Sequence, residues 1–265
     1  MNRIALHQST VHPLDPVALV DVARRAGLDS IGLRVAAAAD VERWWSRGIG
    51  SPMLRDLVAA LLAARVTVLD VGRIPLGPEL CVVDVARPYG RVLELGTRLG
   101  AQFVTVRAGE PGDDPVELFA RLAELSARYH LRPLLSPAAG TAISSLEQAV
   151  AVIEGTDGGV VLDVVPGRDR PERVDETVVE LGERLGYVRV PARTLATTGA
   201  PGLLATLPPQ VPVAIGGAPA TGPDIADEQQ GAEHAGDLDH QVTRAVALRA
   251  AVDALLRHPH AAAAP

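Results

Sequence analysis

Short apolar runs alternate with longer amphipathic stretches along most of the chain. IALHQSTV (4–11) reads as a strand, and DPVALVDVARRAG (15–27) as a helix that starts at Asp-Pro and stops at Gly. SIGLRV (30–35), VTVLDVG (66–72), FVTVRAG (103–109) and LRPLLSPAAG (131–140) repeat the strand pattern. Helical patterns at 52–65, within 82–100 and at 114–130 separate them. A helix at 145–155 leads into GVVLDVV (159–165), and another at 171–186 leads into YVRVPA (187–192). VPVAIGG (211–217) is the last strand, and 237–258 closes the chain as a helix. The helix after the seventh strand has the faintest signal.

Eight strand–helix units predict a single α/β domain, a parallel (β/α)8 TIM barrel over residues 1–258, with 259–265 as a flexible tail. A doubly wound sheet is the alternative. HQSTVHPLDP after the first strand, however, holds no glycine to cradle a dinucleotide phosphate. The polar stretch 222–240 reads as a solvated loop or lid.

Charge and composition then narrow the chemistry. The net charge is −7 and the sequence pI about 5.5, which argues against nucleic-acid or membrane-surface partners. No apolar run is long enough for a bilayer span and no signal pattern opens the chain, so a cytoplasmic protein is expected. The lone cysteine, Cys81, cannot form an internal disulfide and reads as a small buried hydrophobe. All 25 basic residues are arginine. Without lysine there is no Schiff-base or pyridoxal phosphate attachment, while arginine's planar fork suits carboxylate and phosphate.

In a βα barrel the site lies at the carboxyl ends of the strands. Those ends offer His7, Arg34, Asp70, Arg73, Arg107, Ser136, Asp163, Arg189 and Arg193. His7 is matched to proton transfer near neutral pH, and Asp163 is a candidate base or hydroxyl ligand. Arg189 is a fixed charge able to stabilise an enolate, or to pair structurally with Asp163. The other arginines, with Asp70 and Ser136, are candidate substrate-binding groups, and Trp44 and Trp45 a candidate pocket wall. His130 belongs to the opposite face, and His258 and His260 to the solvent-facing tail.

The stretch from FVTVRAGEPG through PLLSPAAGTAISSLEQAVAVIE and GVVLDVV to YVRV and VPVAIGG resembles the xylose-isomerase-like barrels, the superfamily of sugar phosphate isomerases and epimerases and of endonuclease IV. The resemblance covers most of the chain and implies a barrel whose strand-end acids and histidines bind a divalent metal. Here that ligand pattern is broken. The strand-five Glu aligns with Ser136, and Asp163 is kept but its companion His position is Pro166. The strand-seven ligand aligns with Arg189, the strand-eight Glu with Gly216, and the strand-two acid with Gly32. One surviving carboxylate cannot hold a hard cation, so neither a metal nor another cofactor is expected.

The leading expectation is a metal-independent isomerase, epimerase or lyase (dehydratase) for a small anionic carbonyl or polyol compound. His7 or Asp163 would move the proton, and Arg189 would hold the enolate. Two alternatives stand beside it: a non-catalytic barrel binding a metabolite or partner, and a metal enzyme using His7, Asp70 and Asp163. A homodimer remains open.

Overall fold

The computed structural model describes residues 2–11, 14–35, 51–77, 80, 87–107, 114–138, 140–166, 169–195, 202–216 and 237–257. Trp44, Trp45, Cys81, residues 222–236 of the polar stretch, His258 and His260 lie outside them.

Eight strands form a closed parallel barrel in sequence order. They are β1 (Ile4–His7), β2 (Ser30–Arg34), β3 (Thr67–Pro75), β4 (Phe103–Arg107), β5 (Arg132–Ser136), β6 (Gly159–Asp163), β7 (Leu185–Pro191) and β8 (Val213–Gly216). Each is followed by one of the helices α1 (Pro16–Arg25), α2 (Pro52–Ala64), α3 (Arg87–Arg98), α4 (Pro115–Ala127), α5 (Leu146–Ile153), α6 (Pro171–Leu181), α7 (Ala192–Leu195) and α8 (Leu238–Leu256). The helix with the faintest signal is a single turn, α7.

Local chemistry sets where the helices begin. Asp15 Oδ1 accepts from the backbone N–H of Val17 and Ala18 at 2.8 Å, with Pro16 in the first turn. Ser51 caps α2 and Asp114 caps α4 in the same way, each followed by proline. Ser145 and Gln148 close a reciprocal capping box on α5. Each such cap contributes about 1 kcal/mol. The second helix ends one residue earlier than its pattern suggests, because Arg65 turns left-handed (φ 56°) and caps it.

Side chains alternate between two cores. Val68, Val71, Val104, Val106, Leu135, Val160, Val188, Val190, Val213 and Ile215 join the layer between strands and helices. Ala5, Leu69, Leu134, Val161, Tyr187 and Ala214 fill the barrel's interior with Phe103. Two register shifts matter for what stands above that interior layer. Opposite β2, Ile31 pairs with Val68 and Gly32 with Asp70, so Leu69 is an extra residue in β3. Opposite β6, Val160 pairs with Leu185 and Val161 with Tyr187, so Gly186 is an extra residue in β7. A bulge lets neighbouring residues share one face. Leu69 and Asp70 therefore both point into the barrel, where strict alternation would turn Asp70 outward.

Candidate active site

The next inward positions, two residues beyond the apolar layer on most strands, carry His7, Gly32, Asp70, Thr105, Ser136, Asp163, Arg189 and Gly216. This is the carboxyl-end layer of the barrel, and its polar side chains form two connected groups.

In the first group, Arg189 grips Asp163 side-on. Nε donates to Oδ1 at 2.5 Å and Nη2 to Oδ2 at 2.7 Å. Nη2 also donates to Ser136 Oγ at 2.8 Å. Arg189 is 5% exposed, and the Asp163 side chain keeps 15% exposure. Burial works against the charge on Arg189, but the Asp163 carboxylate more than offsets it and holds the guanidinium above its ordinary value. Nε–H and both Nη2 hydrogens are engaged, which leaves the two N–H of Nη1 for a ligand. The stem of Arg189 crosses Gly216, where a β-carbon would lie 2.9 Å from Arg189 Cδ. An acid at 216 and this arginine cannot occupy the same space.

In the second group, His7 and Asp70 face one another above Gly32, with His7 Nε2 4.0 Å from Asp70 Oδ2. That is ionic proximity rather than a hydrogen bond. Asp70 is fully buried; its Oδ2 accepts from Thr105 Oγ1 at 3.1 Å and from the Tyr187 hydroxyl at 3.3 Å, while Oδ1 has no partner. Burial raises the carboxyl's pKa, and the two hydroxyls with the Arg189 and Arg73 charges pull it back, leaving it at about 6. His7 is pushed the other way, well below its ordinary value, by burial and by the charges of Arg73, Arg189 and Arg34. Its ring is a neutral imidazole at pH 7. Burial and the nearby Asp70 raise Tyr187, so it stays a phenol.

Of the residues expected at the site, the barrel brings together His7, Asp70, Ser136, Asp163 and Arg189. The charges of Arg34 and Arg73 also reach His7. Arg107 ends β4 in register with Ser136, and Arg193 is exposed on α7. His130 takes the left-handed turn before β5 at the opposite end of the barrel. Thr105 and Tyr187 were not among the expected residues. Parity could have found them, since each stands two residues before an arginine already assigned inward, Arg107 or Arg189.

Gly32 is a tight point of this layer. A β-carbon there would overlap Asp70 Oδ1 and lie 2.5 Å from His7 Cδ2. Neither neighbour can retreat within a packed barrel, so Gly32→Ala should destabilise the protein by about 1–3 kcal/mol. Urea denaturation at pH 7 measures it, and an unchanged midpoint would mean that the His7–Asp70 arrangement is loose.

No protein-family model matches the chain, and no curated protein matches it in sequence. Among solved structures, a xylose isomerase domain-containing protein from Salmonella typhimurium LT2 superposes with a TM-score of 0.63 at 14% identity, covering 97% of this chain and 98% of that one. The chain has the xylose-isomerase-like TIM-barrel fold. The IolI protein, solved with a zinc atom, matches at TM-score 0.67 and 12% identity over 96% of this chain and 98% of that one. D-allulose 3-epimerase from Methylomonas sp. matches at 0.63 and 13%, over 96% and 98%.

The described residues of the barrel do not fit a divalent ion. Among the described residues, no three His, Cys, Asp or Glu side chains cluster as a metal cage, so His7, Asp70 and Asp163 do not form one. Both oxygens of Asp163 are bound by a guanidinium, which is permanently cationic and cannot ligate a metal. Glycine stands at 32 and 216.

Proposed function

We propose that the chain is a metal-independent isomerase or epimerase, or a lyase of the dehydratase type. Its substrate is a small anionic carbonyl or polyol compound from which it abstracts a proton. The observation that carries this reading is Arg189, buried at the barrel's carboxyl end beside His7 with Nη1 uncommitted. A guanidinium fixed in a low-dielectric site can stabilise an enolate oxygen without reorganising as the charge develops. Asp163 holds the fork in place and Ser136 steadies its Nη2 edge. His7, neutral at pH 7, takes the proton from the carbon next to the carbonyl. Asp163 is the poorer base because both its oxygens face the guanidinium. Proton return to the other face gives an epimer, return to the neighbouring carbon an isomer, and loss of a β-hydroxyl a dehydrated product.

The IolI protein was solved with a zinc atom; in this chain the arginine's fixed charge would do the work of a cation. A second reading, a non-catalytic ligand-binding barrel, is favoured by the closed bidentate Arg189–Asp163 pair, which leaves only one guanidinium edge for a ligand.

Solvent exchange distinguishes the two. The protein is incubated in D2O and EDTA with ketoses, aldoses and their acid and phosphate derivatives, and C–H signals are followed by NMR. Deuterium should enter at the carbon next to the carbonyl of an anionic compound. Exchange that requires added divalent metal would contradict the metal-independent reading, and no exchange with any compound would favour the binding barrel.

A further inference from the structure

Two features of the barrel's outer surface take no part in the active site. The first is a groove of about 410 Å3 along α2, lined by Leu54, Val58, Ala59 and Leu62, with Arg55 and, from the end of α3, Arg98 among its walls. Leu54, Val58 and Leu62 recur at every fourth residue and so form one stripe of the helix. Leu54 is buried at its base, whereas Leu62 is 75% exposed. Arg98 donates to Glu94 at 3.2 Å, an exposed pair one turn apart that is weak enough to exchange partners. Arg55 forms no ion pair among the described residues.

The second feature is the outward face of α6. Val179 stands there 81% exposed, more than any other large apolar side chain among the described residues. Glu172 and Glu176, seven and three residues before it, share its side of the helix, and Glu180 follows it. All three glutamates are exposed, and none forms an ion pair among the described residues. Arg173, the one basic residue of this helix, is turned about 120° away from Val179.

Each surface has what the other lacks. The groove offers apolar volume beside two guanidinia. The α6 face offers an apolar side chain among carboxylates, whose CH2 stems extend the apolar contact. Side chains spaced three and four apart on one helix fill the grooves of another, so the shapes are compatible as well. Two other valines are exposed, and each suits the groove less well. Val246 on α8 lies one turn from Arg249, which repeats the groove's own charge, and Val116 opens α4 beside Asp114, whose carboxylate caps that helix.

We propose that the α2 groove is a docking site for α6 of a second copy of this chain. Val179 enters between the apolar residues, and the glutamates around it face Arg55 and Arg98. The two helices follow strands four apart in a closed barrel of eight, so groove and knob lie on opposite sides of the molecule. A two-fold pair needs both on one face, so that each copy fills the other's groove. Here the second copy keeps its own groove open on its far side, and the contact repeats head to tail. One helix face in one groove is a small contact, and the chain's net charge of −7 opposes it. The association is therefore weak and belongs to high protein concentration.

Sedimentation velocity of the whole chain at low salt, from micromolar to millimolar concentration, tests the docking. The mean mass of the wild type should rise past that of a dimer. Leu62→Glu closes the groove to an acidic face and keeps the knob, whereas Val179→Arg removes the knob and keeps the groove. Both sites face solvent, so melting temperatures should match the wild type. Each variant alone should stay monomeric. An equimolar mixture should form dimers and nothing larger, because one complete contact remains: the α6 face of the Leu62→Glu protein in the groove of the Val179→Arg protein. Arg55→Glu should weaken assembly, which an apolar contact alone would not require. A wild type that stays monomeric or stops at a dimer would overturn the proposal. So would a single variant that assembles like the wild type, a mixture that stays monomeric, or assembly indifferent to Arg55→Glu.

Discussion

Arg189→Met should weaken binding of a small dianion such as oxalate by about 2–5 kcal/mol, the usual cost of removing one partner from a buried charge pair. Solvent exchange into substrate should disappear with it. Arg189→Lys should recover only part of either, because an ammonium keeps the charge but cannot span both oxygens of Asp163 and Ser136 as the planar fork does. The single variant should also melt early, since it leaves the Asp163 carboxylate without its partner. Breaking a buried pair costs about 3–5 kcal/mol, and the 15% exposure of Asp163 places this one at the lower end. Pairing the change with Asp163→Asn removes the orphaned charge and should restore most of the stability while leaving oxalate unbound. A pair serving only the fold would regain stability in the same way, but ligand affinity would never have changed.

The second large effect has the opposite sign. Asp70→Asn should stabilise the protein above pH 7 by up to about 3 kcal/mol. In the unfolded chain this carboxyl titrates near 3.8, and in the folded barrel near 6. Between those values the folded state binds more protons than the unfolded state. The group's contribution is therefore fully present below pH 3.8 and is lost as pH rises through 6. Asparagine keeps an acceptor for Thr105 and Tyr187 and never ionises, so the gap between variant and wild type should open between about pH 4 and 6 and stay constant above. His7 works the other way, because its lowered pKa favours the unfolded state as pH falls below 6.5. Both proteins share that loss, so their difference reports Asp70. Urea denaturation at pH 4.5 and pH 8 measures it. A variant less stable at pH 8 would mean that the carboxylate has a stabilising partner the geometry does not show.

The barrel itself was legible because its two periodicities are strong. Asp-Pro, Ser-Pro and Ser-x-x-Gln stand where helices begin, and apolar runs such as VTVLD and GVVLD are long enough to mark strands buried on both faces. The strand-end position of Asp163, Arg189, Ser136 and His7 followed from that alone. Asp70 is a different case. Alternation through VTVLDVG cannot place Leu69 and Asp70 on one face, and only the register of β3 against β2 shows that it happens. Its partners Thr105 and Tyr187 follow from parity with Arg107 and Arg189, but they look like ordinary strand residues until a carboxylate is set beside them. The bidentate closure of Arg189 on Asp163 was open in the sequence as one of two alternatives, and a linear pattern holds no distances to choose between them.

The account turns on the buried Arg189 guanidinium supplying the charge that the proposed reaction needs. Calorimetric titration of oxalate into the wild type and into the stable Arg189→Met/Asp163→Asn variant, both in EDTA, tests that claim most directly. Saturable one-to-one binding to the wild type and none to the variant is the expected result. Equal affinity in the two proteins, or binding to the wild type only after a stoichiometric divalent ion replaces the chelator, would contradict it.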